Sequence, residues 1–145
     1  MVTGQLARRR QFVALSAALT GDDSLPPDVA GAGAYLARLD RARPGGIDRL
    51  LLAVGDAIDS SDPAAVAAAV AASPITSDDE LWAVATDLIT VWMNSRIPSV
   101  DAVEPEEVPA EQYYRGRIWS TIKAHPLGMS GGYFGYWHYA PEARP

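Results

Sequence analysis

Two histidines are the residues best suited to catalysis or metal binding. His125 precedes a proline, and His138 lies among aromatic residues near the C-terminus. A metal site normally needs three or more clustered ligands, and the sequence has neither HxxxH nor HExxH spacing. The chain has no cysteine, which excludes disulfides, thiolate zinc sites and cysteine nucleophiles. A small enzyme built on either histidine is therefore the least favoured interpretation, and no catalytic or metal-binding residue is predicted.

Motifs that bind nucleotides or activate a serine are missing from the sequence. The Gly-Gly pairs at 45–46 and 131–132 lack GxGxxG spacing after a strand, and no GxSxG occurs. The net charge of −6 does not suit binding to a nucleic-acid backbone, which needs clustered lysine and arginine. No stretch approaches the roughly 20 apolar residues of a membrane span. We therefore expect no cofactor in this chain, no nucleic-acid partner and no membrane span.

Apolar residues recur at helical spacing along most of the chain. Phe12, Leu15 and Leu19 form one stripe, which predicts a first helix that Gly21 ends. Further helices are predicted over about 29–40, 47–58, 64–72, 77–93 and 111–124. Glycines 31 and 33 weaken the second helix or permit close packing against a neighbour.

The helix that starts near residue 77 has the widest apolar face. Ser77 and Glu80 have the spacing of a capping box, in which each side chain satisfies a free amide at the helix start. The apolar face comprises Leu81, Trp82, Ala85, Leu88, Ile89, Trp92 and Met93. We expect this helix at the centre of the fold.

These patterns predict an all-α protein with five or six helices in a single compact domain spanning 1–145. An acidic loop is expected at 98–109, and an irregular tail rich in glycine and aromatic residues at 125–145. Much of the apolar content is alanine, which buries little area, so the core is expected to be modest.

The tail concentrates aromatic residues that a solvated segment would not carry. Five of them are Tyr133, Phe134, Tyr136, Trp137 and Tyr139. The tail could complete the core of its own domain, or it could anchor a partner, because interfaces are enriched in aromatic residues. The two alternatives are compatible, because some rings could pack on the core while others contact a partner. A platform that stacks sugars or nucleic acid is a third and less favoured alternative.

The basic cluster Arg8-Arg9-Arg10 precedes a phenylalanine, as in a twin-arginine export signal. The apolar run that follows is short, and no AxA-like cleavage site comes after it, so a domain helix is favoured. Arginines near a helix start are poorly placed relative to the helix dipole. Either a carboxylate lies nearby, or the segment 1–10 is a vestigial signal.

Three stretches resemble the small (gamma) subunit of bacterial flavin-dependent sugar and polyol dehydrogenases, of the glucose, sorbitol, gluconate and glucoside-3-dehydrogenase type. The opening pattern FxxLSxxLTG is present as Phe12, Leu15, Ser16, Leu19, Thr20 and Gly21. The segment 88–97 resembles a helix ending in WY-G, with Met93 and Ser95 in place of Tyr and Gly. The segment 132–137 resembles the closing pattern PG(F/Y)GxW.

The resemblance implies a non-catalytic small subunit that carries no cofactor. It would bind and stabilise a large subunit of the glucose-methanol-choline oxidoreductase type, which holds FAD and the catalytic histidines. The chain would then be part of an oxidoreductase complex acting on CH–OH groups, assembled as a heterodimer. The alternative is a stand-alone helical adaptor that binds proteins without any enzyme partner.

The partner interface is expected to use the aromatic tail and the helices that carry tryptophan. The residues assigned to it are Trp92, Trp119, Tyr133, Phe134, Tyr136, Trp137 and Tyr139. The complex is expected to be cytoplasmic, because Arg9 and Arg10 abut the opening motif directly. The alternative is a periplasmic complex exported through the Arg8–Arg10 signal.

Overall fold

A computed structural model describes residues 2–22, 25, 30–97, 113–114 and 116–123. Within them lie five helices of nine or more residues and one short helix, and no strand. The helices are α1 (Val2–Thr20), α2 (Ala30–Ala42), α3 (Gly46–Val54), α4 (Pro63–Ala72), α5 (Asp79–Asn94) and α6 (Ile118–Thr121). The predicted all-α fold is confirmed.

Helix α1 follows the predicted stripe and is continuous through the arginine cluster. Phe12 and Leu15 are fully buried, and α1 packs against each of α2, α3, α4 and α5. Gly21 ends the helix with φ of +67°, and the amide of Asp22 donates to the carbonyl of Ala17 at 3.2 Å. This is a glycine-ended helix of the Schellman type, as the sequence predicts.

The next three helices also lie where the sequence predicts them. In α2, a Cβ on Gly33 would lie 3.0 Å from the guanidinium of Arg9, so glycine permits the close approach of α1 and α2. The predicted helix 47–58 is α3 followed by a 3₁₀ turn over Gly55–Asp59. Helix α4 starts with Pro63 after the N-cap Asp62, and its two valines, Val66 and Val70, are buried.

The predicted capping box at the start of α5 is wrong. The N-cap is Asp78, whose carboxylate accepts from the amides of Glu80 and Leu81 at 2.9 and 3.0 Å. Ser77 instead belongs to the preceding 3₁₀ turn, where its hydroxyl donates to the carbonyl of Pro74. The carboxylate of Glu80 pairs with Arg49 of α3 rather than with its own helix start.

The buried face of α5 is rotated relative to the predicted one. It comprises Val84, Ala85, Asp87, Leu88, Val91 and Trp92. Trp82 is 48% exposed, while Ile89 and Met93 are half-buried. Helix α5 is apolar around much of its circumference, so the spacing alone permitted more than one buried face.

A continuous helix over 111–124 is also wrong for the residues described. Tyr113 and Tyr114 are helical, but Gly116 and Arg117 are not, and the helix resumes at Ile118. A Cβ on Gly116 would lie 2.8 Å from the carbonyl oxygen of Met93, and the amide of Arg117 donates to the carbonyl of Trp92 at 3.0 Å. The chain leaves the helical conformation here because it closes onto the C-terminal end of α5.

One cluster of buried apolar side chains lies among α1 to α5. Its members are Phe12, Val13, Leu15, Leu25, Ala32, Tyr35, Leu36, Leu39, Ile47, Leu50, Val54, Ile58, Val66, Val70, Ile75, Val84, Ala85, Leu88, Val91, Trp92 and Ile97. Most are aliphatic. Alanine contributes only two of these residues, so the alanine-rich segments lie mainly outside the fully buried core.

Candidate partner interface

Some of the residues on which the resemblance rests are described by the structure and are buried, among them Phe12, Ser16 and Trp92. The rings of Phe12 and Trp92 stack with centroids 6.2 Å apart, and Tyr35 meets Trp92 edge-on at 5.0 Å. Ser16 is fully buried, and its hydroxyl donates to the carbonyl of Phe12 at 2.7 Å. These residues join α1, α2 and α5, so their described role is to hold the helices together.

The assignment of Trp92 to the partner interface stays a prediction, and in the described fold Trp92 offers little surface to a partner. Only 4% of Trp92 is exposed, because Phe12 and Tyr35 pack against its ring. The tryptophan that α5 presents to solvent is Trp82. The two are ten residues apart, which turns them about 80° from each other on a helix.

The end of α5 shows why glycine would suit the position of Ser95. Ser95 is buried and has φ of +61°, a conformation that favours glycine. Its hydroxyl shares a hydrogen bond with the Tyr35 hydroxyl at 2.9 Å, and its carbonyl accepts from Arg38 at 2.8 Å. The serine thus adopts a backbone conformation that glycine favours, and its hydroxyl adds a polar contact to α2.

The three consecutive arginines have different environments. Arg8 makes a two-bond contact with Asp40 and a further bond to Asp48, each at 2.8 Å. These carboxylates raise the pKa of the Arg8 guanidinium above its ordinary value. A nearby carboxylate was one of the two alternatives that the sequence left open for this cluster. Arg9 lies over Gly33, whereas Arg10 is exposed and makes no ion pair with a described residue.

An open groove of about 220 Å³ lies between α1 and α4. Its lining is mainly apolar and comprises Val13, Ala14, Ala17, Ala18, Leu25, Pro63 and Val66, with Arg10, Ser60 and Ser61 as the polar members. We call this the α1/α4 groove. It combines apolar walls with a cation that has no described partner. An apolar side chain accompanied by a carboxylate would match both features.

Trp119 lies on a segment that an ion pair fixes to the end of α1. The guanidinium of Arg117 meets the carboxylate of Asp22 at 2.6 Å, at the C-terminal end of α1. The indole of Trp119 is half-buried, donates to the carbonyl of Tyr113 at 2.9 Å and packs on the Tyr113 ring at 5.1 Å.

The other predicted interface residues, Tyr133, Phe134, Tyr136, Trp137 and Tyr139, lie outside the described residues, as do both histidines and the acidic loop 98–109. Among the side chains that the structure does describe, no three acidic or histidine residues form a group that could hold a metal. Likewise, no described helix has the length and apolarity needed to cross a membrane.

The sequence did not predict the α1/α4 groove. Its walls come from alanines and valines that read as ordinary helix residues, and its far side comes from α4, which is distant in sequence. The available signal was the row of small residues Ala14, Ala17 and Ala18 on one side of α1, which leaves space beside the helix.

Comparisons with protein families, curated proteins and solved structures return no match for this chain.

Proposed function

We propose that this chain is a non-catalytic small subunit that binds and stabilises a large FAD-dependent dehydrogenase subunit acting on sugars or related alcohols. The observation that carries the proposal is the α1/α4 groove, an apolar concavity that Arg10 also lines and in which Arg10 has no ion pair with a described residue. Fully desolvated apolar pockets are where interfaces concentrate their binding free energy. Trp119 and the aromatic residues of the tail stay assigned to the same interface as part of this proposal.

The choice of a flavoprotein partner rests on the resemblance. Two of its motifs have a clear place in the fold, because Phe12 and Trp92 stack on each other and Ser95 has a positive φ, which favours glycine. In this proposal the FAD and the catalytic groups belong to the partner. The complex is cytoplasmic, since α1 uses the arginine cluster as part of the folded domain.

Filling the groove should prevent binding. Ala17 is half-buried in its wall, and a phenylalanine there would occupy space that the partner needs. We expect Ala17→Phe to weaken binding of the flavoprotein at least about thirtyfold, which corresponds to the roughly 2 kcal/mol or more of an interface hot spot, and to lower its recovery accordingly. The measurement is purification of the tagged chain from its native host. The co-purifying subunit is identified by mass spectrometry and its flavin by absorbance.

The matched control is Ala37→Phe, which adds the same ring to an exposed position of α2. It should leave recovery unchanged, and circular dichroism should show both variants folded. Equal recovery of the flavoprotein with both variants would remove the groove from the interface. Recovery of a folded chain with no flavoprotein at all would favour the stand-alone adaptor.

A further inference from the structure

The outer face of α5 carries a second apolar stripe, separate from the groove. Trp82, Ile89 and Met93 lie within about 40° of one another around the helix, with Thr86 beside them. Trp82 is 48% exposed, and Ile89 and Met93 retain partial exposure. The stripe has the spacing i, i+4, i+7, i+11, which is the alternating 4–3 spacing of a helix-to-helix seam.

Thr86, the polar residue of this stripe, has its hydroxyl hydrogen-bonded within the helix. The hydroxyl of Thr86 donates to the carbonyl of Trp82 at 2.9 Å, within its own helix. Because that hydroxyl is already satisfied, covering it leaves no unpaired donor, and burial avoids the penalty of an unsatisfied polar group. The stripe can therefore be covered by another apolar helix face although one member is polar.

The stripe is complementary to the same stripe of a second copy when the two α5 helices lie antiparallel. With the midpoint between residues 87 and 88 as the two-fold axis, Trp82 faces Met93 of the other copy and Thr86 faces Ile89. The same register places Asp79, in the first turn of α5, opposite Arg96, just past its end. Both are exposed, and neither makes an ion pair with a described residue. Opposite charges thus meet at each end of the seam.

From this symmetry we propose that α5 forms an antiparallel homodimer seam, with a second copy of this chain as the occupant. The inference goes beyond the proposed function and does not depend on it. A closed two-fold interface is the commonest form of self-association. Since one helix face covers less area than a standard interface of about 1,600 Å², the dimer should dissociate on dilution.

Charge reversal tests the register directly. Sedimentation velocity of the purified full chain over a concentration series should show a monomer–dimer equilibrium. Asp79→Arg and Arg96→Asp each place like charges together at both ends of the seam, and each should raise the dissociation constant at least tenfold. An equimolar mixture of the two variants restores both opposite-charge pairs and should dimerise as the wild type does.

Trp82→Ala should weaken the dimer by a similar factor, whereas Asp56→Arg, at an exposed position of the 3₁₀ turn after α3, should not. Circular dichroism establishes that each variant is folded. A wild-type chain that is monomeric throughout the series overturns the proposal. A dimer that is indifferent to both charge reversals, or a mixture that stays monomeric, overturns it as well.

Discussion

Replacing Trp92 with alanine is expected to lower the free energy of unfolding by about 3–5 kcal/mol, the usual cost of deleting a large buried aromatic side chain. Trp92 is 4% exposed and contacts both Phe12 and Tyr35. Its removal leaves a cavity where α1, α2 and α5 meet, and it also forfeits the two ring contacts. Urea denaturation followed by circular dichroism measures the change.

The chain provides its own control for this prediction. Trp82→Ala deletes the same side chain from the same helix at a position that is 48% exposed. It should cost less than about 1 kcal/mol, measured below the concentration at which the chain associates. If the two substitutions destabilise the chain equally, the described packing of Trp92 is contradicted.

Replacing Arg43 with alanine is expected to lower the free energy of unfolding by about 3 kcal/mol. This is the lower end of the range for removing one partner of a buried ion pair. The Arg43 guanidinium meets the carboxylate of Asp87 at 2.9 Å, and the side chain of Asp87 is only 3% exposed. Without Arg43, this carboxylate loses a cationic partner in the interior, between α5 and the turn that leads into α3. Arg43 itself is one-third exposed, which places the expected cost at the lower end of the range.

Arg49→Ala is the matched control, because Arg49 also pairs with a carboxylate of α5. That pair, with Glu80, is exposed on both sides, with side-chain exposures of 51% and 79%. Exposed pairs contribute about 0–1 kcal/mol, so this variant should unfold almost as the wild type does. Chemical denaturation of both variants in the same buffer makes the comparison. An equal effect of the two substitutions would contradict the burial of Asp87.

The helices were predictable because their signals are local. Gly21 ends α1 and Pro63 starts α4, and each acts through its own backbone geometry. The buried face of α5 was not predictable in the same way. Val84 and Trp82 are both apolar, and only the arrangement of α1, α2 and α3 decides that Val84 is buried and Trp82 is exposed.

The candidate interface was less predictable than the fold because it depends on contacts between distant segments. Ala17 and Val66 form one groove although 49 positions separate them. The sequence does not distinguish the arginines of the cluster 8–10 from one another. In the structure Arg8 pairs with Asp40, whereas Arg10 makes no ion pair with a described residue. Trp119 was assigned to the interface from its residue type, and its partial exposure leaves that prediction open.

The most direct test of the proposed subunit role is to delete this chain from its native host and measure the FAD content and solubility of the flavoprotein that co-purifies with the wild-type chain. We expect the flavoprotein to lose its soluble, FAD-loaded form, and re-expression of the wild-type chain to restore it. A flavoprotein that stays soluble, fully loaded with FAD and active after the deletion would contradict the account.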